Sequence, residues 1–452
     1  MPPYDPTLYA RILTGLTLGF HIIFATIGVG VPVMIAIAEW LGIRRKDPHY
    51  LLLARRWARG FTITVAVGVV TGTSIGLQLN LLWPSFMQIA GQAIALPLFM
   101  ETFAFFFEAI FLGIYLYTWD RFRNPWIHFA FVIPVVLGSS ASAFFITAVN
   151  AFMNTPQGFT LVGRTIVDID PLMAMFNPAT PTKTAHVLSS AYMTSAFVLA
   201  GVAALSLLKG KQHDYYTKAL KTTMTAALLF SLATAFIGDL SGKFLAEYQP
   251  EKLAAAEWHF ETTNEASLIV GGVLTENNEI RYSLKIPYLL SILAFGRPDA
   301  VVQGLNEFPK EDTPPLVVHY FFDVMVGIGT LLIVLGLVYA ANLWRSKRNG
   351  LDKPIPRFLL RGILWSGPLA MLAIECGWLF AEIGRQPWIL RGYMKTAQGA
   401  TTAAHVDWML LLFSLLYALL GCTSWIILRR LFDRNTAEQE MAKRGIEGGN
   451  KP

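Results

Sequence analysis

The chain has 452 residues, of which 54% are hydrophobic and only 15% charged, and its mean hydropathy is +0.48. Soluble domains run nearer a quarter charged, so this balance excludes an ordinary soluble globular protein and points to a polytopic membrane protein. The two cysteines, Cys376 and Cys422, both sit in apolar runs and exclude a disulfide framework, a CxxC metal site and a redox pair, while the net charge of +6 is assigned to helix orientation rather than nucleic acid.

A spanning helix must cross about 30 Å of hydrocarbon, which takes about 20 apolar residues. Nine runs qualify, at about 10–41, 58–82, 94–119, 126–151, 184–208, 217–240, 316–344, 358–383 and 403–430. The first is too long for a signal-peptide core, lacks a cleavage pattern and reads as a retained span. It carries His21. The second contains Thr71-Gly72-Thr73-Ser74 with Gly76, small residues that permit close helix contact. The third carries Glu101 and Glu108, whose spacing of seven returns them to one helical face. The aromatic run from Phe99 to Phe107 on the same helix suits lipid, packing or the dry wall of a cofactor. Gly138-Ser139-Ser140-Ala141-Ser142 in the fourth run again permits close contact, and its hydroxyls could extend a proton wire from Glu108.

A link over 152–183 with Pro156, Pro171, Pro178 and Pro181 reads as an ordered cap, and the fifth run opens on His186 just beyond it. The largest link, about 240–317, starts with an amphipathic piece, Gly242 to Phe260, holding Lys252 and Glu257. It continues through Glu276-Asn277-Asn278-Glu279 to Pro314-Pro315; such length in a compact protein marks a functional or a mobile segment. Met325 lies in the seventh run. The eighth holds Glu375 and Glu382 and breaks into Gly384-Arg385-Gln386-Pro387-Trp388. The tail beyond Phe432 is short, charged and Gly-rich and is expected to be disordered.

Of the 36 Lys and Arg, 24 fall in the links after odd-numbered runs or in the tail, Lys353 among them. By the positive-inside rule the N-terminus is outside and the C-terminus cytoplasmic. The expected fold is an all-α integral membrane protein of nine transmembrane helices with a large external loop between the sixth and seventh. Its units are 1–241 (helices one to six with the 152–183 cap), 242–315 (the loop), 316–431 (helices seven to nine) and 432–452 (a cytoplasmic tail).

With that orientation, His21, Glu101, His186, Met325 and Glu382 fall in the outer third of the membrane and Glu108 leads inward. Intramembrane acids are functional by default. His and Met ligate haem iron from opposite faces and give a low-spin, electron-transferring haem, whereas a ligand on one face alone leaves iron open to a gas. No CxxCH is present, so any haem is bound without covalent attachment. Plain packing suffices for His128, His319 and His405, and solvation for His49 and His213. His259 fits either reading, and Glu39 and Asp239 sit cheaply at span ends. A haem b electron relay and an ion-coupled transporter remain the other classes to weigh.

Glu382-Ile383-Gly384-Arg385-Gln386-Pro387-Trp388 resembles the Gly-Arg-Gln-Pro-Trp signature of subunit I of the cytochrome bd-type quinol oxidases. His21, Glu101, Glu108, His186, Gly238-Asp239-Leu240-Ser241-Gly242-Lys243, Lys252, Glu257 and Met325 follow the family's order across essentially the whole chain. The resemblance implies a terminal oxidase of the bacterial cytoplasmic membrane that oxidises quinol at the external loop and reduces dioxygen to water without pumping. It implies haem b558 on His186 and Met325, and haem b595 and haem d (or a third haem b) on His21 and Glu382, in an order left open. Trp378, Arg385 and Trp388 join the cofactor contacts. Glu101, Glu108, Lys252, Glu257, Arg385 and Gln386 form the catalytic set, with Lys252 and Glu257 on quinol and Glu108 passing protons. A second membrane subunit, and possibly a small single-helix one, are implied partners. Two features depart from parts of the family: the loop is of the shorter type, and Asp323 stands where some members carry Arg. Glu375 receives no role beyond a candidate proton relay or partner of a haem-site group.

Overall fold

The computed structural model describes residues 4–163, 165–211, 213–349 and 354–445. Among them are nine helices long and apolar enough to cross a membrane: Pro6–Arg45, Pro48–Leu82, Pro84–Tyr117, Pro125–Asn154, Thr180–Leu208, Asp214–Tyr248, Val318–Arg348, Arg357–Ile383 and Val406–Arg434. They are called helices one to nine below. Lys353 and residues 446–452 lie outside the described residues.

Several helices begin well before their apolar stretch. Helices two and three each start about ten residues earlier than hydropathy marks, and helix six runs on to Tyr248. The entries explain this. Pro48 and Pro84 occupy the first turn, where their missing N–H costs nothing, and ahead of helix two the Asp47 side chain accepts the backbone N–H of His49. Hydropathy reports the lipid-facing length, whereas caps set where the backbone helix starts.

Helix five packs against helices one, four, six and eight and is the most buried; helix nine is the least. Helix pairs one and two, three and four, and seven and eight also pack closely. Gly30 lets helix one approach helix five so nearly that an added Cβ would stand 2.3 Å from Ser195 Oγ. That is the small-residue packing expected where hydrophobicity cannot drive association.

The 152–183 link folds as an antiparallel pair, Thr160–Val162 with Thr165–Val167, and a short helix Pro171–Met175 whose N-cap Asp170 accepts two backbone N–H groups. The connection from helix six to seven holds a short helix Pro250–Ala256, two antiparallel strand pairs (Leu268–Val270 with Leu284–Ile286, Val273–Leu274 with Ile280–Arg281) and a helix Leu289–Phe295. The tail departs from expectation. Residues Ala437–Lys443 are helical and dock on helix two, where Arg56 and Arg59 each donate to Glu440 at 2.5 Å. A charged segment escapes disorder here because opposite charges on the bundle face receive it.

Candidate functional site

Two ligand candidates face glycines on neighbouring helices. His186, near the start of helix five, stands against Gly238 of helix six: a Cβ there would lie 3.6 Å from His186 Cε1. Met325 of helix seven stands against Gly377 of helix eight, where a Cβ would lie 3.0 Å from its sulfur. Trp378 follows directly. The His186 Nδ1 atom is buried without a hydrogen-bond partner. An orphaned imidazole nitrogen and two cradles that side chains would fill fit a planar group ligated by His and Met.

His21 is oriented by the second helix. Its Nδ1 lies 2.8 Å from Thr71 Oγ1, and Thr71 Oγ1 itself donates to the Val67 carbonyl at 2.8 Å. With its single hydrogen so used, Thr71 accepts from His21 Nδ1–H, which leaves Nε2 unprotonated and free to ligate. Gly72 keeps the ring's Cε1 side open; a Cβ would come within 3.3 Å. Thr71 was legible only as a small packing residue, because its second role depends on which residue the neighbouring helix presents.

Glu101 and Glu108 do share one face, turned to helix four. Ser142 Oγ donates to Glu101 Oε1 at 3.0 Å, and Gly138 is pressed against Glu108, with a Cβ there falling 2.8 Å from Glu108 Cβ. Glu108 is buried, with no hydrogen-bond partner among the described residues, whereas Glu101 is half-buried. Phe99, Phe103, Phe106 and Phe107 lie exposed on the surface of the bundle, so much of the aromatic run faces outward.

The end of helix eight gathers charge. Glu382 Oε1 accepts from Asn150 Nδ2 and Oε2 from Arg385 Nη2, both at 2.5 Å. Arg385 also donates to the Ile389 carbonyl, and its Nε stays unpartnered. Each Glu382 oxygen keeps a further lone pair, so the carboxylate can still reach a metal. Lys183, which the sequence reading passed over, and Lys252 lie close enough to act electrostatically on Glu382. Three basic side chains thus gather about one carboxylate. The Lys183 signal was available: an ammonium one helical turn before His186.

The loop pair separates. Lys252 Nζ donates to the Ala381 carbonyl at 3.2 Å and lies over the Phe380 ring, on helix eight; burial pushes its ammonium down to about 8, with Glu382 opposing. Glu257 turns to helix seven. Burial, with the Asp323 carboxylate adding to it, pushes its carboxyl up to about 8, and its Oε2 has no partner. A cleft of about 320 Å³ opens beside this short helix, lined by Ala246, Pro250, Leu253, Phe295, Val302 and Gln303.

Gln386 and Trp388 are held by the segment that follows helix eight. Gln386 Oε1 accepts from Thr396 Oγ1 at 2.8 Å, and Trp388 pairs with Lys395 in an antiparallel strand, under the Lys395 ammonium. Glu375 faces helix one, with Oε2 3.5 Å from where a Gly19 Cβ would stand and Oε1 unpartnered. His128, read as packing, is tied by Nδ1 to Glu39 at 2.6 Å and by Nε2 to the Tyr115 carbonyl at 2.9 Å.

A family profile described as cytochrome bd terminal oxidase subunit I matches residues 9–436. A Bacillus subtilis (strain 168) protein, provisionally named a cytochrome bd menaquinol oxidase subunit I, is 41% identical over 442 residues, 97% of this chain and 99% of its own. A cytochrome bd ubiquinol oxidase subunit 1 of the same organism is 32% identical over 91% of this chain and 90% of its own. The solved bd oxidase from Geobacillus thermodenitrificans superposes with a TM-score of 0.91 at 64% identity, covering 96% of this chain and 100% of that one. With nine helices able to span a bilayer and this agreement over nearly its full length, the chain belongs to the family of cytochrome bd terminal oxidase subunit I, multi-pass proteins of the bacterial cytoplasmic membrane.

Proposed function

We propose that the chain is the haem-bearing subunit of a quinol:oxygen oxidoreductase that oxidises membrane quinol at the connection between helices six and seven and reduces dioxygen to water. What supports this reading is a chain matched to this family from residue 9 to 436 that sets His186 and Met325 each against a glycine of a neighbouring helix, orients His21 through Thr71 and pairs Glu382 with Arg385. A haem b relay or an ion-coupled transporter would not call for all three.

In this reading the N-terminus and the 242–315 loop lie outside, and the C-terminus and the basic links lie in the cytoplasm. His186 and Met325 hold haem b558, while His21 and Glu382 hold haem b595 and haem d (or a third haem b). When bound, these groups supply the one-electron steps between quinol and oxygen. Lys183, Lys252 and Arg385 balance anionic propionates, and Trp378 and Trp388 wall the site.

The chain's own residues handle protons. Glu257, protonated up to about pH 8, is the group that exchanges a proton with quinol once it ionises, and Lys252 places the other side of the headgroup against helix eight. Glu108 takes protons from the cytoplasmic side and passes them up the face of helix three to Glu101, which Ser142 holds. Quinol protons leave outside and the protons of water enter from inside, so charge crosses without a pump. Each elementary charge moved is worth about 2.3 kcal/mol per 100 mV. A second membrane subunit, and a small single-helix subunit beside it, complete the enzyme.

The test is a reduced-minus-oxidised spectrum with quinol-driven oxygen uptake of the complete oxidase. Absence of haem bands overturns both oxidase and relay, and bands without oxygen uptake favour the relay. Met325→Leu is expected to remove the low-spin band and leave a high-spin signal. Intact quinol oxidation in Lys252→Ala plus Glu257→Ala refutes the loop assignment.

A further inference from the structure

We propose that His319 is a positioning residue of the quinol site: a buried ring pinned between the helix six to seven connection and helix seven, holding the backbone on both sides of Glu257. The inference rests on reading that connection as the quinol loop.

His319 is the second residue of helix seven and is fully buried. Its Nδ1 lies 2.6 Å from the Ala256 carbonyl, which can only accept, so Nδ1 carries a proton. Its Nε2 faces the Gly271 carbonyl at 3.3 Å and Asp323 Oδ2 at 3.3 Å. That same carboxylate oxygen accepts the Gly271 N–H at 2.5 Å. The ring thus reaches backbone on both sides of Glu257, Ala256 through Nδ1 and Gly271 through Nε2, with Asp323 one turn along the same helix tying the Gly271 amide from the other side.

The Trp258 indole covers the ring, centroids 3.9 Å apart and planes 23° from parallel, a stacked pair. Trp258 Nε1 donates to the Leu316 carbonyl at 2.9 Å, and Tyr320 Oη donates to the Gly272 carbonyl at 3.2 Å. Trp258 has φ +47°, a left-handed backbone that a bulky side chain adopts only when its surroundings hold it there. Glu257 is thus fixed between Ala256, whose carbonyl His319 binds, and Trp258, whose ring His319 stacks on. Asp323 serves twice, as the acceptor for the Gly271 N–H beside His319 and as the carboxylate that acts on Glu257. Because Met325 is two residues beyond Asp323, the pin also fixes the loop relative to the helix that carries it.

The complete oxidase, with its partner subunit in native membranes, is assayed with decylubiquinol. His319→Phe keeps the bulk and the stacking on Trp258 but removes both ring nitrogens. The expected result is a rise in KM for decylubiquinol of about tenfold or more with a smaller change in kcat, an unchanged low-spin band, and loss of hydrogen-exchange protection at the Gly271 amide. Wild-type KM and wild-type Gly271 protection overturn the proposal. Should His319→Phe not assemble, His319→Asn, whose shorter amide spans only one of the two backbone contacts, decides: the same KM shift with loss of Gly271 protection supports the pin, and an unchanged KM overturns it. Glu257→Gln separates the two layers. If it oxidises decylubiquinol at the wild-type rate, the loop reading itself fails; if it is impaired while His319→Phe behaves as wild type, only the pin fails.

Discussion

Replacing Thr71 by valine tests how the bundle prepares His21. Valine keeps the branched shape, and Thr71 is fully buried, so packing changes little while the acceptor for His21 Nδ1–H disappears. The Val67 carbonyl keeps its own helical N–H, so the loss falls on the imidazole. A buried donor left without a partner costs about 1–3 kcal/mol, and removal of such an outer partner of a metal-ligating histidine lowers metal affinity by about 10–100-fold. The two figures agree, since about 1.4 kcal/mol is tenfold. Purified Thr71→Val oxidase is therefore expected to release one high-spin haem during detergent dilution at concentrations where wild type retains it, with the low-spin band intact. Thr71→Ser, which keeps the hydroxyl, is expected to behave nearly as wild type. A Thr71→Val enzyme that holds its high-spin haem as tightly as wild type would refute the reasoning.

Three further outcomes are expected. Gly377→Val places atoms where Met325 Sδ now stands, the first only 3.0 Å away, so the low-spin band should be lost or converted to high-spin; a wild-type spectrum would count against the facing pair. Quinol oxidation should show an ascending limb near pH 8, where Glu257 ionises, and Glu257→Gln should lack it. The same shift has a stability sign: between the ordinary 4.5 and about 8 the folded state binds a proton that the unfolded chain has released, so stability falls as pH rises through that window and levels above it. Denaturation profiles of wild type and Glu257→Gln with the same slope there would contradict the burial. Finally, Glu440→Ala leaves the buried Arg56 without its carboxylate, a loss of about 3–5 kcal/mol for a fully buried pair and less here because Arg59 is partly exposed. Amides of 437–443 should then exchange freely, and retained protection would show that the tail docks by other means.

The number of long helices, the two acids on helix three and the break after Glu382 were all legible in the chain, because each follows from a local rule. Twenty apolar residues make a span, a spacing of seven restores a helical face, and a carboxylate in lipid is too costly to be idle. Helix starts were less legible at Pro48 and Pro84, since hydropathy records contact with lipid and the helices extend beyond it. The tail was misread for a related reason: composition predicts whether a segment folds alone, and Ala437–Lys443 folds against Arg56 and Arg59.

What the sequence determined by itself is the set of costly residues and the axis along which each one lies. Which of them meet was decided by the rotation of each helix about its axis and by the packing of small residues that fixes it. Thr71 against His21, Gly377 against Met325 and His319 between Ala256 and Asp323 are pairings across helices or across the loop, and no spacing along one segment encodes them. Lys183 shows the same limit from the other side: its position in the chain was plain, but its meaning came from Glu382 and Lys252, brought to it by two other elements.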